Sequence, residues 1–289
     1  MPEPTADPTV PAGPRSARPV TGFGPGTLAG VGVGPGDPAL ITLRALATVR
    51  RADSVFGPTM DPGVAGRAES VLADAAPDVT VERLVFAIQS DDAARAEAHR
   101  AAAAVVAAKL EAGEAVAFVT LGDPNLYSTF HHLAAAVGAL RPATSVLTVP
   151  GIMAFQDLAA RAGTVVADGT GRLTLVTAVD GTDDLREALA DPTDAVVVYK
   201  GGRHLPAIAG VLAEAGRLEG AVVGELLGLP GGRVVALDAA GAPAGPAAYL
   251  ACVIVPPARH RPAAPGLGDD QEPAAAGGAG ADGADGAGE

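Results

Sequence analysis

The chain of 289 residues contains no tryptophan, and its aromatic content is only 3%. So few aromatic side chains argue against a stacking surface for single-stranded nucleic acid, and a formal net charge of −13 argues against binding to a phosphate backbone. The single cysteine, Cys252, excludes an internal disulfide and a cysteine-based metal cluster. No run approaches the roughly 18 to 20 apolar residues of a membrane span, and no apolar secretory segment follows the N-terminus. These absences predict a cytoplasmic protein with no nucleic acid, membrane or metal partner.

Both ends of the sequence have a composition that differs from the middle. Residues 1–26 are rich in proline, threonine, alanine and glycine without any period, which predicts a disordered leader. Residues 259–289 are predicted to form a disordered acidic tail, since six acids and no base follow Pro265. Between them, 48% hydrophobic residues over the whole chain suffice for a sizeable core. We place a boundary near Val149-Pro150, giving an N-terminal α/β domain over 27–149 and a C-terminal α/β domain over 150–258.

The order of elements predicts an α/β fold. In the first half, apolar strands alternate with helices, a pattern typical of parallel sheets. The predicted strands there cover 27–33, 54–56, 79–86, 115–119 and 145–149, and the helices cover 39–51, 67–75, 91–111, 130–139 and 154–162. In the second half the strands cover 172–177, 195–199, 221–225, 232–237 and 249–255, and the helices cover 184–190 and 204–215. Two of these later strands are joined by a short turn, which predicts a mixed sheet with a β-hairpin.

The stretch from Thr120 to Phe130 is the centre of the functional prediction. An apolar strand precedes it, Gly122-Asp123-Pro124 breaks that strand, and Ser128 and Thr129 can cap the helix that follows. A polar loop between a parallel strand and a helix lies at the carboxyl end of the sheet, where open α/β folds bind ligands. The alternative is an ordinary turn between strand and helix.

A second glycine-rich loop runs from Gly30 to Asp37. It lacks the G-x-G-x-x-G spacing of dinucleotide sites, since Pro35 or Asp37 stands where the third glycine is needed, and the chain has no P-loop motif. We interpret it as a loop that lets the backbone approach a ligand without phosphates, or else as a tight structural turn.

The histidines do not form a metal motif. His131 and His132 are adjacent, and neighbouring helical residues point about 100° apart. The other three are expected to be isolated on the surface: His99, His204 and His260.

Four short segments together resemble the ligand loops of the tetrapyrrole (corrin/porphyrin) methylases. They are Gly32-Val33-Gly34-Pro35-Gly36-Asp37, Leu121-Gly122-Asp123-Pro124, Val149-Pro150-Gly151-Ile152 and Val198-Tyr199-Lys200. The resemblance extends from about Leu28 to Val255. Within the family, the longer string from Thr120 to Phe130 and the segment Gly66-Arg67-Ala68-Glu69-Ser70 are similar to the branch that methylates carbon 20 of precorrin-2 on the route to cobalamin.

The resemblance implies two α/β domains of the class III methyltransferase type, with S-adenosylmethionine in the cleft between them, and a homodimer. It implies that Asp123 accepts a hydrogen bond from the amino group or the ribose of that co-substrate. Two positions depart from the common pattern, because Met153 stands where threonine or serine is frequent and Lys200 stands where methionine is frequent. The cofactor-binding residues carried over by motif are Pro35, Leu121, Gly122, Asp123, Leu126, Met153, Ala154, Lys200 and Leu227.

No catalytic residue is assigned from the sequence. A methyl group on a sulfonium is already activated, so the reaction needs alignment and no protein nucleophile. Related uroporphyrinogen methylases have an aspartate at the position of Pro58, so no proton acceptor carries over. A polycarboxylate substrate needs local cations in an acidic protein, and the candidates, which are otherwise solvated surface residues, are Arg44, Arg67, Arg83 and Arg161.

Several alternatives remain open from the sequence. Another corrin-ring methylase, such as a cobalt-factor II C20 or precorrin-4 C11 enzyme, would keep the fold, as would a diphthine-type protein methylase. A nicotinamide oxidoreductase built on the first glycine loop and a non-enzymatic tetrapyrrole carrier are the alternatives of another class.

Overall fold

The computed structural model describes residues 17–86, 92–237, 247–248 and 250–258. Some predictions therefore lie wholly or partly outside the described residues. They are the leader over 1–16, the tail over 259–289, the position of His260, and the starts assigned to the helix at Asp91 and to the strand at Tyr249.

The first sheet is entirely parallel and has the strand order β3-β2-β4-β1-β5. Its strands are β1 (Thr27–Gly32), β2 (Ser54–Thr59), β3 (Glu82–Val85), β4 (Val116–Thr120) and β5 (Ser145–Val149). The connecting helices are α1 (Leu43–Arg51), α2 (Arg67–Ala75), α3 (Asp92–Glu111) and α4 (Phe130–Leu140). All five strands therefore present their carboxyl ends at one edge, as the alternating pattern predicts.

Helices cover both faces of this sheet, which is why its central strands are apolar throughout. One face packs against α1 and α2 in a cluster that includes Val31, Val49 and Leu72. The opposite face packs against α3 and α4 around Phe118 and Phe130. The two cores fix the sheet, and they leave its carboxyl edge free for loops.

The second sheet is mixed and has the order β6-β7-β10-β8-β9. The strands are β6 (Leu173–Thr177), β7 (Ala195–Tyr199), β8 (Val222–Glu225), β9 (Arg233–Ala236) and β10 (Cys252–Val255), and the helices are α5 (Ala154–Ala162), α6 (Asp183–Ala188) and α7 (Leu205–Glu214). Strand β10 runs antiparallel to both of its neighbours, and β8 and β9 form the predicted hairpin. Cys252 is a fully buried strand residue.

Two of the differences from the sequence prediction have a visible cause, which is a helix cap in one case and strand pairing in the other. The helix predicted from residue 39 begins at Leu43, because Thr42 caps it by accepting from the amide of Ala45 at 3.1 Å. Strand β2 continues through Pro58, where the prediction ended at residue 56. Proline is tolerated there because the pairing of β2 with β4 ends at Phe56, so beyond it β2 pairs only with β3.

Packed structure is also present before the predicted domain. Phe23 is buried in the core of the first sheet, and the amide of Val20 donates to the hydroxyl of Thr48 at 3.1 Å. This end of the predicted leader is therefore packed, because one large apolar side chain anchors a segment that has no sequence period.

No helix in the described ranges is long and apolar enough to cross a membrane.

Candidate functional site

Three loops of the first sheet meet directly at its carboxyl edge. The amide of Gly122, after β4, donates to the carbonyl of Gly34, after β1, at 2.8 Å. The carboxylate of Asp123 accepts from the amide of Gly151, after β5, at 3.2 Å. Loops more than 25 residues apart in sequence are thus joined by hydrogen bonds from backbone amides. We call the region around Gly34, Asp123 and Gly151 the crevice, and we include in it the second-sheet turns that contact these loops.

The glycines of these loops are required by contacts between loops. A Cβ added to Gly32 would lie 2.3 Å from the carbonyl oxygen of Gly122, and one added to Gly151 would lie 2.0 Å from the same oxygen. Gly122 itself has φ +65°, and its Cβ direction points to open space. Gly32 therefore allows two other loops of the protein to come close to its backbone. The space that is open to a ligand lies beside Gly122.

Asp123 organises the loop after β4 as well as the contact between loops. Its Oδ1 accepts from the amide of Asn125 at 2.8 Å, and its Oδ2 accepts from Gly151. A carboxylate has about four acceptor positions, so both oxygens retain capacity for a further donor. The side chain is only partly buried, which leaves that capacity accessible from the crevice.

The second sheet contributes turns to the same crevice. A Cβ on Gly36 would lie 1.9 Å from the carbonyl oxygen of Leu227, just after β8. The ammonium group of Lys200, just after β7, donates to the carbonyl of Tyr127 at 3.0 Å, and the Tyr127 hydroxyl donates to the carbonyl of Leu175 in β6 at 3.1 Å. The two sheets are therefore connected at both sides of the crevice.

Backbone strain is concentrated at this place. Among the described residues, three that are not glycine have positive φ, namely Tyr127 at 52°, Lys200 at 58° and Leu226 at 49°. Each belongs to a turn of the crevice, and such conformations cost of order 1–3 kcal/mol each. Strain of this kind persists where the surrounding contacts impose it, and it clusters at functional sites.

The residues predicted to bind a cofactor fall on these loops. Pro35 and Leu227 are buried, whereas Leu121, Leu126, Met153 and Ala154 are half-buried. Met153 precedes α5 and has no side-chain cap to offer. Its amide donates to the Gln156 side chain at 2.9 Å, which is the half of a capping box that the third helical residue supplies.

Lys200 has a side chain that is already engaged. Besides its hydrogen bond to the Tyr127 carbonyl, its ammonium lies 6.0 Å from the centre of the Tyr127 ring. Burial lowers the pKa of Lys200. The Tyr127 carbonyl takes one of the three donors of the Lys200 ammonium, so the other two donors and the backbone of Lys200 are left for other contacts in the crevice.

The four candidate arginines differ in their availability. Arg83 forms a bidentate pair with Glu69 at 2.8 Å, and Arg161 pairs with Asp157 at 2.9 Å. The exposed Arg67 lines a groove of about 540 Å³ that also contains Gly36, Leu226 and Gly228. Arg44 is exposed on α1. The structure therefore brings Arg67, of these four, to the crevice.

The prediction of isolated histidines is wrong for His99. Its ring stacks against that of His132 with centroids 5.3 Å apart, and the rings of His131 and His132 are 3.7 Å apart. His99 lies on α3 and His132 lies on α4, two helices that pack against each other. The sequence carried no signal for this, because 33 positions separate the two side chains.

Sequence reasoning also gave no role to Tyr199, whose hydroxyl accepts from the amide of Phe155 at 3.3 Å.

Comparison with known proteins identifies the family of the chain. A family model described as Tetrapyrrole (Corrin/Porphyrin) Methylases matches residues 27–242. A precorrin-2 C(20)-methyltransferase from Sinorhizobium sp is 33% identical over 84% of this chain and 100% of that protein. A cobalt-precorrin-2 C(20)-methyltransferase from Salmonella typhimurium is 31% identical over 71% of this chain and 86% of that protein.

Solved structures show the same fold. The cobalt precorrin-4 methyltransferase CbiF superposes with a TM-score of 0.60 at 21% identity, covering 80% of this chain and 95% of that one. The methyltransferase CobJ gives 0.57 at 20% identity, covering 82% and 96%. The matched model spans all of the loops described above, and the chain belongs to the tetrapyrrole (corrin/porphyrin) methylase family.

Proposed function

We propose that the chain transfers a methyl group from S-adenosylmethionine to carbon 20 of precorrin-2, giving precorrin-3A in cobalamin biosynthesis. The observation that carries the proposal is the joining of turns from both sheets into one crevice by backbone contacts. The two C20-methyltransferases that match most of this chain support the choice of substrate and ring carbon.

The crevice fits S-adenosylmethionine in its chemistry. The co-substrate carries a methyl on a positively charged sulfur and an amino-acid portion, and it has no phosphate. Asp123 offers a carboxylate with free acceptor capacity to the amino group or ribose, and Gly122 leaves open space beside it. The remaining residues that we propose to hold it are Pro35, Leu121, Leu126, Met153, Ala154, Lys200 and Leu227.

The protein's contribution to the reaction is positioning. Because the methyl donor is already activated, the turns have to hold donor and ring carbon in line, which can supply roughly 7–11 kcal/mol of the barrier. Rigid contacts suit this role, since Asp123 fixes the β5 loop and Tyr127 with Lys200 fixes the opposite side. Pro58 lies within β2 with no titratable group, so we assign no proton acceptor there.

The direct test is a transfer assay without oxygen. The protein is incubated with methyl-labelled S-adenosylmethionine and precorrin-2, and the product is located by mass and carbon NMR. We expect one added methyl, at carbon 20. Absence of transfer, or a methyl at another ring carbon, would contradict the proposal, and measurable NADH binding without S-adenosylmethionine binding would favour an oxidoreductase.

A cobalt-containing ring is the second candidate substrate. The Salmonella typhimurium relative is named for cobalt-precorrin-2, at an identity within two percentage points of the metal-free counterpart. Comparing kcat/KM for precorrin-2 with and without cobalt decides between them, and including precorrin-4 in the panel tests the remaining corrin-ring alternative.

We also propose that the protein is a cytoplasmic homodimer with two domains that divide near Val149 and Pro150. The strands of the first sheet end at Val149, and α5 packs against the second sheet, which supports the division. Sedimentation of the purified protein measures the oligomeric state, and a monomer at micromolar concentration would contradict the dimer.

A further inference from the structure

Three histidine rings form a continuous cluster beside the crevice. His99, His131 and His132 have centroid distances of 5.3 Å and 3.7 Å along the series 99–132–131, and His99 also packs on Phe86 at 5.3 Å. The Nδ1 of His131 lies 2.9 Å from the carbonyl of Ser128, which holds the cluster next to Tyr127. We call these three residues the histidine cluster.

The charged groups that shift the pKa values of His99 and His132 are basic. Those that act on His132 are His131 on its own helix, His99 and Arg95 on α3, and Lys200 after β7. Burial, followed by these like charges, lowers the pKa of His132, and burial followed by Arg95 and His131 lowers that of His99. Within the described ranges, no carboxylate contributes to either pKa.

A group of histidines surrounded by basic residues is electrostatically unfavourable when no anion is bound. Burial and the neighbouring like charges raise the cost of protonating His99 and His132. Such a group is also unusual in a chain with a net charge of −13, where acids outnumber bases by 33 to 20. The arrangement becomes favourable when an anion lies against it, since the anion then stabilises the protonated rings.

The histidine cluster lies on a side of the crevice where the carboxylates of the substrate require cations. A polycarboxylate ring must lie at the crevice, yet Arg83 and Arg161 are occupied by Glu69 and Asp157. Arg67 supplies a cation on the α2 side only. The α4 side has the histidine cluster together with Lys200, whose ammonium is within hydrogen-bonding distance of the Tyr127 carbonyl.

We propose that His99, His131 and His132, with Lys200, form the surface that receives peripheral carboxylates of the substrate ring. This inference rests on the proposed function, because it takes a tetrapyrrole polycarboxylate as the substrate. It assigns binding and orientation to the cluster, and no bond forms or breaks there. Carboxylate binding favours the protonated forms of His99 and His132, so the substrate affinity increases as the pH falls.

The test replaces all three histidines by glutamine, which keeps polarity and approximate size while removing the ability to become charged. The matched control is Arg100→Gln, which removes a charge from the exposed side of α3, where Arg100 pairs with Glu97. We expect the KM for precorrin-2 to rise about tenfold in the triple variant, since each exposed charge pair contributes a factor of about 1.4 to 5. S-adenosylhomocysteine affinity and melting temperature are expected to stay unchanged, as is the KM of the control.

A pH profile separates a charge effect from a packing effect. The carboxylates of the substrate stay ionised above about pH 5.5, so a change of affinity between pH 8 and pH 6 reports the imidazoles. We expect wild-type affinity to increase over this range and the triple variant to lose most of that dependence. His132→Arg, charged at every pH, should bind precorrin-2 more tightly than wild type at pH 8.

The outcomes distinguish the two proposals. If the wild-type protein does not methylate precorrin-2, the proposed function fails. If the wild type is active and the triple variant retains its KM and its pH dependence, the histidine cluster does not receive the carboxylates. A variant that loses S-adenosylhomocysteine affinity and melting temperature together with substrate affinity would also overturn the inference, because it would show a structural role.

Discussion

Replacing Asp123 by alanine tests the central contact of the crevice. The substitution removes one acceptor from the amide of Asn125 at 2.8 Å, one from the amide of Gly151 at 3.2 Å, and the proposed acceptor for the co-substrate. We expect the affinity for S-adenosylhomocysteine, measured by titration calorimetry, to fall sharply while the protein still folds.

The magnitude follows from the type of hydrogen bond. A bond involving a charged group contributes about 1.5–3 kcal/mol, and each 1.4 kcal/mol is tenfold in affinity, so we expect a loss of about 10- to 150-fold. The cost to the fold is smaller, since Asn125 is exposed and only the Gly151 amide is partly buried. A destabilisation of about 1 kcal/mol corresponds to a melting temperature lowered by about 2–4 °C.

Two further variants separate charge from geometry. Asp123→Asn keeps an oxygen for the turn and removes the negative charge, so its affinity should lie between those of wild type and Asp123→Ala. Asp191 closes a similar turn by accepting from the Thr193 amide at 2.9 Å, but it precedes β7, at the end opposite to Lys200. Asp191→Ala should leave the affinity unchanged. An Asp123→Ala protein that melts normally and binds as tightly as wild type would refute the assignment of the pocket.

Two more predictions concern stability. Gly32→Ala places a Cβ 2.3 Å from the Gly122 carbonyl oxygen and should lower the free energy of unfolding by about 1–3 kcal/mol or more, whereas Gly138→Ala, in α4 with open space around it, should raise it by about 1 kcal/mol; equal effects in urea unfolding would contradict the contact. The hydrogen bond from Arg83 lowers the pKa of Glu69 below 4.5, so the stabilisation is present above that pH and is lost as the pH falls through the folded-state pKa. The melting temperature of wild type should therefore fall more steeply below pH 4.5 than that of Glu69→Gln, and parallel curves would exclude a contribution from this pair.

Much of the secondary structure follows from local pattern. Four elements have the predicted bounds, namely α2, β5, α5 and β7. Each combines an apolar run or an apolar period with residues that end the element. Gly163, with φ +61°, is such a residue after α5. Predictions failed where a tertiary contact decided the end of an element, as for β2, whose pairing with β3 continues to Thr59 although its pairing with β4 ends at Phe56.

The candidate site was predictable as a set of loops and not as a set of contacts. Motif resemblance identified the segments around Pro35, Asp123, Gly151 and Lys200, because their glycines, prolines and polar residues interrupt apolar strands in a characteristic order. It could not show that Asp123 reaches Gly151. Nor could it show the partners that occupy Arg83 and Arg161, since those pairings depend on side-chain directions after packing.

The sequence by itself determined the alternation of buried strands and helices, the lack of a phosphate-binding motif and the family of the chain. These properties are local, because periodicity and turn chemistry act over a few residues. Tertiary structure alone decided which turns touch, which cations stay available and that His99 joins His132 across two helices. These depend on which distant segments the parallel order of β1, β4 and β5 brings to one edge, and no local pattern encodes that arrangement.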